Sequence, residues 1–169
     1  NIKKGQKVFI QAGSGGVGTF AIQLAKHIGA FVATTTSATN SDLVKSLGAD
    51  LVIDYKTQDF STILKDYDFV LHSNRDSKVL ENSLKILKPG SALVSLTGPP
   101  TGEVAIKLGL GWHFQIIMNL LSLSVRRKAK KLNVNFKFLF MKADGKSLSE
   151  ITNLIELGKI KPIIDKVFP

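Results

Sequence analysis

The sequence of 169 residues has no cysteine. This excludes disulfide staples and thiolate metal sites and suits a reducing compartment, with the cytoplasm as the expectation. It also lacks internal repeats, low-complexity tracts and Gly/Ser linkers, so a single domain over residues 1–169 is expected. There is no basic-then-apolar leader after Asn1, and the chain reads as a piece of a longer one. Acidic residues are scarce, 13 against 23 Lys and Arg, for a net charge of +10. The imbalance is local: residues 1–100 hold 11 basic and 8 acidic side chains, and residues 101–169 hold 12 and 5.

The source of that imbalance is "SVRRKAKKLNVNFK", where Arg126, Arg127, Lys128, Lys130, Lys131 and Lys137 have no acidic residue between them. Aromatics are missing from most of the run, so no nucleic-acid partner is expected. A solvated helix end favoured by the C-terminal dipole is the main reading, with a partner or lipid surface as the remaining one. Just before it, residues 104–125 carry one charge, Lys107. The uncharged part, 108–125, has 18 residues, close to the lower limit of about 17 for crossing a bilayer. Gln115, Asn119, Ser122 and Arg126 recur at helical spacing as a polar stripe, which predicts a helix packed on protein rather than a membrane span.

What is present is a regular alternation. Apolar "VFI" runs into glycines, and "TFAIQLAKHIG" follows with helical spacing and Gly29 as its stop. "FVATTT" (31–36) is rich in β-branched residues and reads as a second strand, "NSDLVKSLGA" as a short helix, "DLVIDY" as a third strand and "YDFVLH" (67–72) as a fourth. "SKVLENSLKILKPG" predicts a helix stopped at Pro89-Gly90, "SALVSLTG" a fifth strand, "VNFKFLFMK" (134–142) a sixth, and "GKSLSEITNLIELGKI" a helix with Leu148, Ile151, Leu154, Ile155 and Leu157 toward the core. Strands separated by helices need right-handed crossovers. The fold class predicted is α/β: a Rossmann fold with a doubly wound, six-stranded parallel sheet and helices on both faces.

Within the first unit, Gly13-Ser14-Gly15-Gly16-Val17-Gly18 satisfies G-x-G-x-x-G between a strand and a helix, the context the motif requires. Gly13 is expected to permit the tight turn, Gly15 to let backbone approach a pyrophosphate, and Gly18 to let the helix lie close to the strand. An NAD site usually offers Asp or Glu at the end of the second strand, but residues 34–41 contain no carboxylate. Thr36 and Ser37 there offer hydroxyls, which tilts the expectation to NADP(H), although no Arg or Lys stands in the segment either.

At this point "KKGQKVFIQAGSGGVGTFAIQLAKHIGA", "LGADLVIDY", "LENSLKILKPGSALVSLTGPP" and "LIELGKIKPIIDKVFP" resemble, in order and spacing, the cofactor half of medium-chain dehydrogenase/reductases, in the branch of zinc-independent quinone oxidoreductases. The resemblance implies NADPH as hydride donor, a quinone or enone as acceptor and no metal. It also implies a separate catalytic domain, built mostly from the preceding chain, and a homodimer pairing through the edge strand 134–142. It places Ser14, Gly15, Gly16 and Val17 at the pyrophosphate, Tyr55 near the adenosine 2′-phosphate and Asn74 as a polar residue after the fourth strand. It also places Leu96, Thr97 and Gly98, with Leu139, Phe140 and Met141, in segments that line the nicotinamide in that family.

Two departures stand out. Asn40 occupies a position where the family often has a basic residue. In "HSNRDS" (72–77), Ser73 replaces an acid, and Asp76 and Ser77 replace two glycines, which is expected to reshape the loop beside the cofactor. His72 reads as structural, and no pattern around His27 or His113 supports a metal site. No catalytic side chain is assigned. An NADPH-binding sensor without turnover is the alternative reading.

Overall fold

A computed structural model describes residues 2–164, 166 and 167. The first strand, β1 (Lys7–Ile10), leads through the glycines into α1 (Gly16–His27), and β2 (Phe31–Thr36) follows. Next come α2 (Ser41–Ser46), β3 (Leu51–Asp54), α3 (Phe60–Ile63) and β4 (Tyr67–His72). After α4 (Ser77–Lys85) and β5 (Leu87–Ser95), three helices, α5 (Gly102–Lys107), α6 (Trp112–Leu121) and α7 (Leu123–Lys131), precede β6 (Asn135–Phe138) and α8 (Gly145–Glu156).

All pairings are parallel, and the strand order is β3-β2-β1-β4-β5-β6. This is the expected doubly wound Rossmann sheet, with its reversal of direction between β1 and β4. Alternation along β1 divides the core. Val8 and Ile10 point to one face, packed with Ile22 and Ala25 of α1 and Val44 of α2. Phe9 points to the other, packed with Phe60, Leu80, Leu84, Val125 and Ala129 from α3, α4 and α7. A strand buried on both faces has no polar side to show, which is why "VFI" carries no alternation of its own.

Several boundaries differ from expectation. The helix after β4 ends at Lys85 rather than at Pro89-Gly90, and β5 already begins at Leu87. Leu87 pairs with Tyr67, the register then shifts, and pairing resumes at Phe69 with Ala92. Pro89, which lacks an N–H, falls in the skipped stretch, where no ladder bond is needed. The segment 104–125 is broken rather than one helix. Gly109 takes φ +67° at the end of α5 and Leu110 N–H donates to Ala105 O at 2.9 Å, a left-handed helix stop.

The sixth strand is Asn135–Phe138 only, shorter than 134–142. The amphipathic helix α8 forms, capped by Asp144, but its expected core side is not buried: Leu148 is 64% exposed and Leu157 69%. Its tail is held instead by buried Ile160 and by Gln23 of α1, whose amide bonds Lys161 O at 3.0 Å and Lys161 N–H at 2.7 Å. Among the described residues, no helix is long and apolar enough to cross a membrane.

Candidate functional site

The loop between β1 and α1 is shaped by backbone crowding. The residue with a left-handed backbone is Ala12, at φ 52°, so the tight turn assigned to Gly13 is made one residue earlier. Gly13 is needed for close packing instead, because a Cβ there would sit 2.2 Å from the Thr34 hydroxyl. Gly18 behaves as expected, since its Cβ would lie 2.3 Å from Ala12 O and 2.7 Å from the Gly13 Cα. Helix and loop can approach only if both positions lack side chains. A Cβ on Gly16 would meet nothing within 4 Å. The N-terminus of α1 has no side-chain cap and no acid in its first turn, so its amide groups and dipole remain available to an anion.

The threonines of β2 brace this loop. Thr34 Oγ1 donates to Ile10 O at 2.6 Å, and Thr35 Oγ1 accepts from Ala12 N–H at 3.2 Å. Thr36 Oγ1 bonds Ser14 Oγ at 3.0 Å, with Asn40 Nδ2 donating to the same oxygen at 3.3 Å. All three threonines are buried, so they hold the cradle from behind. Ser14, accepting from Asn40 and bonded to Thr36, is the hydroxyl presented forward. Ser37 begins the short turn after β2 and offers no cap bond.

Beside the loop lies a cavity of about 640 Å³ between the carboxyl ends of β1 and β4. Of the residues expected at the cofactor, Ser14, Gly15, Thr36, Tyr55 and Asn74 line it. It therefore opens at the topological switch point, where ligands of doubly wound sheets bind. Gly13, Gly16, Val17, Gly18 and Ser37 do not line it; the glycines shape the cradle and the helix start instead.

Sequence reasoning missed part of the wall. Gln11 is buried and crosses the switch point: Nε2 donates to Ser83 Oγ at 2.8 Å, Oε1 accepts from Ser73 N–H at 3.2 Å, and its carbonyl accepts from Ser73 Oγ at 3.1 Å. Gln58, Asp59 and Lys78 also face the cavity. The N–H and hydroxyl of Ser61, and more weakly the charge of Lys78, hold the Asp59 carboxyl below the usual carboxylate range. The loop 72–77 needs no glycine, because none of its residues has positive φ. Asp76 caps α4 by accepting from Lys78 N–H at 2.8 Å, and Asn74 Oδ1 accepts from Asp76 N–H at 2.8 Å.

The other expected residues gather at the ends of β5 and β6. Leu96 N–H continues the sheet to His72 O at 2.9 Å, Thr97 Oγ1 donates to Asn74 O at 2.6 Å, and Leu139 N–H bonds Ser95 O at 2.9 Å. The first two bonds tie residues 96–98 to the end of β4 and the loop after it, and the third ties Leu139 to the end of β5. Gly98 is confined, as its Cβ would stand 2.6 Å from Ser95 Oγ. Leu139, Phe140 and Met141 are exposed, Met141 to 89%. None of these six lines the cavity. They form a separate strip along the same carboxyl edge.

His72 is 1% exposed, with Nδ1 2.9 Å from Ser95 Oγ and Nε2 without a partner among the described residues. Burial pushes its pKa down to about 4, so it stays neutral near pH 7 and reads as a structural residue. Among the described residues, no group of three or more His, Cys, Asp or Glu is placed to hold a metal ion.

The comparisons agree with this geometry. The family model described as "Zinc-binding dehydrogenase" matches residues 47–169. The chain is 38% identical over 175 residues to "NAD(P)H oxidoreductase RTN4IP1, mitochondrial" of Bos taurus, covering 98% of this chain and 42% of that one. It is 30% identical over 167 residues to "NADPH-dependent alkenal/one oxidoreductase, chloroplastic" of Arabidopsis thaliana, covering 98% and 34%. Its fold matches the quinone oxidoreductase from Coxiella burnetii with a TM-score of 0.79 and 29% identity, over 99% of this chain and 46% of that one. The chain thus spans less than half the length of these relatives. With a glycine cradle, an uncapped helix start and a crevice at the switch point, it belongs to the zinc-binding dehydrogenase (medium-chain dehydrogenase/reductase) family as a cofactor-binding domain, on the zinc-independent side of that family.

Proposed function

We propose that the chain is the NADP(H)-binding half of a metal-independent oxidoreductase that passes hydride from NADPH to a quinone or an α,β-unsaturated carbonyl. The observation that carries this is the cradle at the switch point: Gly13 and Gly18 exclude side chains, and α1 begins there uncapped. A dinucleotide supplies the hydride chemistry, and the protein supplies binding and orientation. Gly15, Gly16, Val17 and the α1 amides hold the pyrophosphate. Tyr55, 60% exposed on the cavity wall, and the forward hydroxyl of Ser14 serve the adenosine end. The absence of a carboxylate over residues 34–41 favours NADPH over NADH, because an acid there would repel the 2′-phosphate and pair instead with a free ribose hydroxyl.

Asn74, Leu96–Gly98 and Leu139–Met141 are the expected neighbours of the nicotinamide. Their exposure leaves room for a catalytic domain, which on this reading precedes and follows residues 1–169 in the whole protein; this piece alone is then inactive. A homodimer pairing β6 with β6 is part of the same proposal, as is a reducing compartment. The cytoplasm is the simplest such compartment, although two relatives are named for mitochondria and chloroplasts.

Isothermal titration is the direct test. NADPH should bind at least tenfold more tightly than NADH; equal or inverted affinities would sink the NADP(H) assignment. Assay of the full-length protein with quinone and enone panels separates hydride transfer from a sensor that binds NADPH without turnover.

A further inference from the structure

The end of β2 offers a phosphate hydrogen bonds but no charge. The polar side chains of residues 34–41 are hydroxyls and one amide. Thr36 Oγ1 bonds Ser14 Oγ at 3.0 Å, and Asn40 Nδ2 donates to the same oxygen at 3.3 Å. Tyr55, on the same cavity wall, adds a phenol. A phosphate monoester carries about −1.5 to −2 charges at pH 7, and hydrogen bonds to it from a cation are roughly twice as strong as those from neutral groups. The counter-charge must come from another part of the cavity.

Among the described residues that line the cavity, Lys78 is the one cation and Asp59 the one acid. Lys78 stands in the first turn of α4, after β4, whereas Ser14, Thr36 and Tyr55 come from β1, β2 and β3 and the turns after them. Its backbone is fixed, because Asp76 accepts from Lys78 N–H and Asn74 Oδ1 accepts from Asp76 N–H, both at 2.8 Å. Its side chain is exposed and forms no ion pair among the described residues. Asp59 does not claim it. That carboxylate is turned to its own helix, where Oδ1 accepts from Ser61 N–H at 2.9 Å and from Ser61 Oγ at 2.8 Å. Lys56, next to Tyr55, and Arg75, in the loop after β4, are exposed as well, but neither lines the cavity.

We propose that Lys78 is the residue that selects the phosphorylated dinucleotide, its ammonium meeting the adenosine 2′-phosphate from the α4 wall in place of the basic group that Asn40 does not supply. This rests on the NADP(H) reading above and adds which side chain carries the preference. A lysine is a point charge with three donors on a flexible four-carbon stem, so it binds phosphate without a fixed fork geometry. The pyrophosphate does not require it, since the uncapped start of α1 already turns amide groups and the helix dipole toward that anion.

Isothermal titration of the full-length protein with NADPH and with NADH, for the parent and for Lys78→Met, tests the assignment. Lys78→Met should bind NADPH roughly 20-fold more weakly than the parent does, with NADH affinity changed by less than about twofold. Lys56→Met removes an equal charge outside the cavity and should leave both affinities within about twofold of the parent. Intact NADH binding and an unchanged thermal melt would show that Lys78→Met is folded. Equal losses for NADPH and NADH would put Lys78 on the pyrophosphate, an unchanged preference would put it on no phosphate, and a larger loss in Lys56→Met would move the role beside Tyr55. Each of these outcomes overturns the proposal and leaves the NADP(H) reading standing. A parent that binds NADH as well as NADPH would remove that reading itself, and the role of Lys78 with it.

Discussion

Residues up to about 100 and residues 102–160 spend their apolar side chains in opposite ways. In the first region Val8, Phe9, Ile10, Ile22, Val32, Ile53 and Leu93 are almost fully buried, and the strands are enclosed by helices on two faces. In the second, Val104, Ala105, Val125, Ala129, Val134 and Ile160 are buried, while Trp112, Ile116, Leu120, Leu148 and Leu157 stand in solvent. Hydrophobicity by itself does not place a residue inside. What differs is the partner: the first region closes on itself, whereas α6 and α8 present faces that meet none of the described residues.

Substitutions in the two regions probe this contrast, the most damaging first. Phe9→Ala removes a ring that contacts Phe60 at a centroid distance of 4.9 Å, and chemical denaturation should show a loss of about 4 kcal/mol. Gly18→Val drives a side chain into Ala12 O and the Gly13 backbone. It should cost about 3 kcal/mol and abolish detectable NADPH binding by titration, because the cradle must open to admit it.

The pH dependence comes from His72. Its pKa is about 4 when folded, below the ordinary 6.5, so the unfolded chain binds the extra proton between those values. Stability is therefore full above about pH 6.5 and falls as the pH drops toward 4, by about 3 kcal/mol at most. His72→Phe should flatten that window in denaturation curves recorded across it; a slope that persists would assign the effect to other groups. Smallest of all, Leu120→Ser should shift stability by less than about 0.5 kcal/mol. A cost near that of Phe9→Ala would mean that α6 is covered after all.

Much of the first region was legible because its signals are local. The β-branched "FVATTT", the glycine loop and the stop at Gly29 each act within a few residues, and β2 and β4 fall on their expected ranges. The polar stripe through Gln115, Asn119 and Ser122 was also legible as a stripe, but not its direction. Gln115 is half-buried and Ser122 buried, while Asn119 stays exposed at the edge and meets the Gly102 amide and Arg126, a contact that depends on how α5 folds back at Gly109. The paired glycines of "LGLGW" were the overlooked sign of that break.

Within the site, the cradle was readable and its bracing was not. Gln11 joins Ser73 and Ser83, 62 and 72 residues away, and Lys78 reaches the cavity only because Asp76 starts α4 there. Separations of that length leave no periodic trace in a sequence.

The order of residues alone set the βα alternation, the glycine positions and the excess of positive charge, since each follows from local sterics or simple counting. Tertiary structure decided that Ala12 rather than Gly13 takes the left-handed turn, that the buried threonines of β2 brace the loop even where Thr35 and Thr36 also line the crevice, and that α6 leaves apolar side chains exposed. Each of these depends on which distant backbone groups need a hydrogen-bond partner, and only the packed sheet brings those groups together.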